Sequence, residues 1–117
     1  MALLWEQVVV ETDDPAVLGH WWAKALEWVI VDENTEVVEI RPTADALPGI
    51  LFLASPTPKQ AKNRLHLDFR PDDHDAEVAR LLSHGAKRID VGQADDVPWT
   101  VLADPDGNEF CVLGSSQ

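Results

Sequence analysis

A repeat at a spacing of 59 residues constrains this chain more than any other feature. Gln7 and His66 each stand seven residues before an acidic helix cap, Asp14 and Asp73, so both pairs share that offset. Under it Val8 falls on Leu67 and Val10 on Phe69, while Gln7, Val9 and Glu11 fall on His66, Asp68 and Arg70. Side chains alternate along a strand, so the first set predicts a core face and the second set the opposite face. Internal duplication is the economical account. A chain of 117 residues suits two small halves sharing one core, burying roughly two-thirds of the unfolded surface.

The first half reads β-α-β-β-β. Residues 3–11 are rich in β-branched and aromatic side chains and predict a strand. Asp13-Asp14-Pro15 supplies a capping carboxylate and a proline for the first helical position. Val17, Leu18, Trp21, Trp22, Ala25 and Leu26 then recur at helical spacing. Two strands follow, Glu27 to Asp32 and Thr35 to Arg41, and Pro48-Gly49 leads into a fourth, Ile50 to Ala54. Residues 55–63 carry two prolines and no apolar periodicity, and read as a linker.

The second half repeats the order from about residue 64. A strand from Arg64 to Arg70 precedes the caps Asp72-Asp73, then a helix with Val78, Leu81 and Leu82 on one face and Gly85 as its stop. Ala86 to Val91 predicts a strand and Gly92 to Pro98 a loop. The hairpin from Trp99 to Leu113 turns at Asp104-Pro105-Asp106-Gly107-Asn108, where proline presets φ and glycine accepts a positive one. On its second strand Glu109, Cys111 and Leu113 share one face, and Phe110 and Val112 the other.

Composition excludes several functions. Nine basic against twenty-one acidic residues give a net charge of −12, a field that repels nucleic-acid backbones and anionic lipid headgroups and attracts cationic ligands. Neither nucleic acid nor a membrane is an expected partner. No run of eighteen apolar residues exists, and the start has no basic segment followed by a cleavage site, so the expected location is the cytoplasm. Cys111 is the only cysteine, which rules out an intrachain disulfide and any multi-cysteine zinc site. No phosphate-binding glycine loop or Gly-x-Ser-x-Gly elbow is present.

Two β-α-β-β-β modules, the His66-Leu-Asp stretch with Lys62-Asn-Arg before it, and the closing Asp-Pro-Asp-Gly-Asn-Glu-Phe-Cys-Val-Leu together resemble the glyoxalase-like domain family. That family belongs to the vicinal oxygen chelate superfamily, with glyoxalase I, extradiol dioxygenases and bleomycin resistance proteins. The resemblance implies an α+β chain of one domain, residues 1–117, with module one at about 1–54, the linker at about 55–63 and module two at about 64–117. Each module would contribute to a curled mixed sheet around a groove. In metal-using members an ion sits on four inward side chains, from the first and last strands of each module. Those places fall on Gln7 and His66, on Cys111 where a glutamate is usual, and on Leu53 in module one.

Leu53 cannot ligate an ion, so the quartet is incomplete and glyoxalase I itself is not expected. A divalent ion, Ni, Zn, Fe or Mn, would rest on His66 and Glu109 with Gln7, since such sites need about three imidazole, carboxylate or thiolate ligands. Glu109 is then also the carboxylate available for proton transfer, and the activity a lyase, isomerase or dioxygenase. The other reading needs no cofactor: a groove lined by Trp5, Gln7, Asp68, Trp99 and Cys111 sequesters a small ligand, cationic if the net charge governs, as bleomycin resistance members do. Bland alternatives stand beside both. Asp68 with Arg70 reads equally as an exposed ion pair, Cys111 as a small buried hydrophobe, and His20, His74 and His84 as solvated. The resemblance also implies a homodimer, with Trp21 and Trp22 on one helix suited to the interface.

Overall fold

In the computed structural model, which describes residues 3–89 and 99–114, the chain forms two compact units, Met1–Pro58 and Lys59–Gln117. The first contains β1 (Gln7–Thr12), α1 (Pro15–Leu26), β2 (Val29–Glu33), β3 (Val37–Arg41) and β4 (Gly49–Ala54). The second contains β5 (Leu67–Phe69), α2 (His74–Ser83), β6 (Lys87–Arg88), β7 (Trp99–Ala103) and β8 (Glu109–Leu113). Each unit has one mixed four-stranded sheet, ordered β1-β4-β3-β2 and β5-β8-β7-β6. In both, the first strand lies parallel to the last and the remaining pairs are antiparallel.

Helix α1 starts where its caps dictate. The Asp14 carboxylate accepts from the Val17 N–H at 3.1 Å, and Pro15 occupies the first turn. Leu18, Gly19, Trp22 and Ala25 form its buried stripe, whereas Val17 is 59% exposed. The apolar face is thus rotated from the expected one. Trp22 lies in the core and Trp21 packs edge-on against it, ring centroids 5.0 Å apart, so only Trp21 of the pair could serve an interface. Glu27 does not begin a strand: it takes a left-handed conformation, φ 58°, and lets the Trp28 N–H reach the Ala23 carbonyl at 2.9 Å. Opposite the helix, Val38 pairs with Phe52 and Ile40 with Ile50, all four buried.

Strand β1 begins at Gln7 and not at Leu3, because its parallel partner begins at Gly49, directly opposite Gln7. Leu3, Leu4 and Trp5 have no ladder to join and are 84%, 81% and 65% exposed. Likewise β5 covers only three of the seven residues expected.

Module two repeats the local devices. The Asp73 carboxylate accepts from the Ala76 N–H at 3.1 Å, and Gly85 at φ 112° ends α2 as expected. Val78 and Leu81 are buried with Leu102, Phe110 and Val112. Phe69 meets Phe110 edge-on at 6.0 Å. Strand β6 is shorter than expected, although the Ile89 N–H still reaches the Val101 carbonyl at 3.3 Å. The expected strand's last residues, 90–91, and the Gly92 to Pro98 loop lie outside the described residues.

The β7–β8 turn is built on Asp104, which is 4% exposed. Its carboxylate accepts from the Asp106 and Asn108 backbone N–H groups at 3.0 and 2.9 Å and from the Asn108 side-chain amide at 3.2 Å. Gly107, φ 88°, closes the turn.

Candidate functional site

The parallel pairing of β5 with β8 sets Asp68 opposite Cys111. These residues are far apart in sequence, and only the sheet register joins them. His66, just before β5, completes a cluster: Nδ1 lies 3.0 Å from Asp68 Oδ1 and 3.9 Å from Cys111 Sγ. Among the described residues, one imidazole nitrogen, one carboxylate oxygen and the thiol all lie within 4.8 Å of one another. The His66 and Asp68 side chains are 42% and 47% exposed, whereas Cys111 is 6% exposed.

Burial pushes the Cys111 thiol up to about 11, and the Asp68 carboxylate adds to the effect through its charge and by accepting the thiol's hydrogen bond. Lys62 acts in the opposite direction. At neutral pH the sulfur is therefore a protonated donor, not a nucleophilic thiolate. As a ligand set, imidazole, carboxylate and sulfur suit a borderline-soft divalent ion, provided the metal displaces the thiol proton.

Glu109 is placed differently from Asp68. One carboxylate oxygen takes the Lys59 ammonium at 2.9 Å and the other the Asn63 backbone N–H at 2.7 Å. Asn63 also donates from its side-chain amide to Asn108 at 3.3 Å. Burial favours the neutral acid, but Lys59 and Asn63 prevail and hold the Glu109 carboxyl below its usual range. The carboxylate beside His66 is thus Asp68 and not Glu109, and Asp68 pairs with His66 where its spacing predicts a groove wall or a pair with Arg70. Of the other expected site residues, Trp99 is 37% exposed at the start of β7, and Trp5 and Gln7 belong to module one.

Two further assignments change. By register, Val9 pairs with Leu51 as Asp68 pairs with Cys111, so the module-one counterpart of Cys111 is Leu51 and not Leu53. His74 is not simply solvated: its Nε2 lies 2.8 Å from Thr100 Oγ1, joining α2 to β7. The signal for the Glu109 contacts was faint, namely two lysines inside a segment whose prolines marked it as linker.

Two βαβββ modules, each closing its first strand in parallel on its last, define the vicinal oxygen chelate architecture. The family model described as a glyoxalase-like domain matches residues 7–113, and the chain belongs to that family. A glyoxalase/bleomycin resistance protein/dioxygenase family enzyme from Burkholderia phytofirmans superimposes with a TM-score of 0.74 at 17% identity, over 94% of this chain and 97% of that one. A superfamily member from Sphaerobacter thermophilus gives 0.68 at 16% identity, over 96% and 97%. The trypanothione-dependent glyoxalase I of Leishmania major gives 0.70 at 12% identity, over 98% and 88%. At such identities the likeness is one of fold. No curated protein matches the sequence, and among the described residues no helix is long and apolar enough to cross a membrane.

Proposed function

We propose that this glyoxalase-like protein binds a small molecule on the module-two face that carries His66, Asp68 and Cys111. The observation supporting this reading is the convergence of three polar groups within 4.8 Å, two of them open to solvent, with the sulfur held protonated. Such a set offers a few fixed hydrogen-bonding groups to orient a ligand. Trp99 would wall the same module's site, and sequestration is then the activity. The single free thiol suits a reducing, cytoplasmic setting, and the protein would act as a homodimer, with Trp21 at the interface.

A second reading keeps a metal. The same three side chains could hold one Ni, Zn, Fe or Mn ion, which would supply Lewis acidity to a lyase, isomerase or dioxygenase reaction. Glu109, held ionised by Lys59, would then position the neighbouring chain instead of ligating the ion or moving a proton.

Elemental analysis of untagged, dialysed protein separates the two, with calorimetric screening of anionic, neutral and cationic compounds beside it. Metal-free protein that binds a compound, with affinity lost in His66→Ala, supports sequestration. Stoichiometric metal that disappears in His66→Ala supports the second reading. Protein that takes up neither metal nor any compound removes both.

A further inference from the structure

Four of the nine basic residues of this acidic chain fall between Lys59 and Arg70. Their pairing is uneven. Lys59 is neutralised: its ammonium meets Glu109 and also donates to the Ala61 carbonyl, folding the segment back on itself. Lys62, Arg64 and Arg70 are exposed and have no carboxylate partner among the described residues.

Residues 59–63 are also anchored. Glu109 takes both Lys59 and the Asn63 N–H, and the Asn63 amide bonds Asn108, so both ends of the segment are tied to the start of β8. Cys111 follows Glu109 by two residues on the same strand face. Lys62 is held between these anchors, and its charge is felt at the Cys111 sulfur. Two residues after His66 in the sequence, Asp68 supplies the carboxylate of the cluster, and it already faces the imidazole and the thiol.

Given the small-molecule reading of this face, on which the inference rests, we infer that the ligand carries an oxyanion, a carboxylate or phosphate, bound by Lys62 and Arg64 beside His66. Glu109 is the positioning residue that holds the Lys62 segment in place. The local charge thus opposes that of the whole molecule. At −12 the chain repels anions at long range, so an anionic ligand here depends on short-range pairing, in which a charge-assisted hydrogen bond is strong. On this inference the ligand is anionic, where net charge alone predicts a cationic one.

The test is isothermal titration calorimetry of the full chain with oxalate, with inorganic phosphate and with choline as the cationic probe. Lys62→Gln and Arg64→Gln are compared with Lys87→Gln, a lysine on β6 at the opposite edge of the sheet. The expected result is binding of oxalate or phosphate that weakens about tenfold or more in Lys62→Gln, stays unchanged in Lys87→Gln and falls with added salt. Whichever anion binds identifies the group. Glu109→Gln should weaken the same anion while circular dichroism remains native. Anion binding indifferent to Lys62 and Arg64 overturns the inference. So does His66-dependent binding of choline without either anion, which leaves the small-molecule reading standing. Absence of binding to all three probes also overturns it, and the wider compound screen then decides whether that reading survives.

Discussion

Modules one and two share a strand order and a register, yet present different chemistry at matching places. Opposite Val9 module one has Leu51; opposite Asp68 module two has Cys111. Gln7 stands where module two has His66. The first set is one amide and two hydrocarbons, and the second is imidazole, carboxylate and thiol. The backbone scaffold therefore does not decide whether a module gathers such groups; a few side chains on the first and last strands do. The helices differ in a complementary way. At the position where α2 has buried Val78, α1 has Gly19, and a Cβ there would fall 2.6 Å from Val38 Cγ1. The one-turn neighbours are Trp22 and Leu81, so module one sets a glycine beside a tryptophan where module two sets two side chains of middle size.

That comparison can be broken experimentally. Gly19→Val gives α1 the residue that α2 carries, and should cost on the order of 3 kcal/mol through overpacking against Val38, read from urea unfolding. An unchanged midpoint would mean that the two helix seats are interchangeable.

The pH dependence of stability should then isolate Cys111. With its folded value raised from 9.0 to about 11, the native state keeps a proton that the unfolded chain loses. The stabilisation is complete below pH 9 and disappears as pH rises to about 11, a loss of roughly 2–3 kcal/mol. In Cys111→Ala the slope in that window should vanish, and module one, which has no cysteine, cannot replace it.

The caps test the similarity instead of the difference. Asp14→Ala and Asp73→Ala each remove a side-chain bond to a first-turn N–H, at 3.1 Å in both cases, and each should cost about 1 kcal/mol. Markedly unequal costs would show that the modules use the same local device in different contexts.

The smallest effect belongs to Glu109. Its depressed folded value stabilises the protein above the ordinary carboxyl value of 4.5, and the contribution is lost as pH falls through the folded value. Glu109→Gln should lower stability at pH 7 by about 1 kcal/mol or less, given a partly exposed Lys59, and flatten the acid limb. A variant unchanged at both ends of the range would remove the proposed tether.

Much of this molecule was legible in advance, for local reasons. The repeat at 59 residues, the Asp14 and Asp73 caps, the Gly85 stop and the Asp-Pro-Asp-Gly-Asn turn are short-range patterns, and each forms where expected. Strand parity also placed His66, Asp68 and Cys111 on matching faces. Less legible were the ends of β1 and β5, because a strand extends only as far as its partner does, and the rotation of α1, because Gly19 is buried in close approach to Val38 while Val17 is exposed, a matter of fit that hydrophobicity does not signal.

By itself the sequence determined the element order, the duplication and which residues could do chemistry, since periodicity, caps and turns act within a few residues. Tertiary structure alone decided which carboxylate meets His66. Parity put both Asp68 and Glu109 on faces open to a site, but the β5–β8 register set Asp68 against Cys111, and Lys59 with Asn63 drew Glu109 into a tether. Pairings between residues more than 40 apart depend on strand register and on competition among charges, and no local pattern in the chain encodes either.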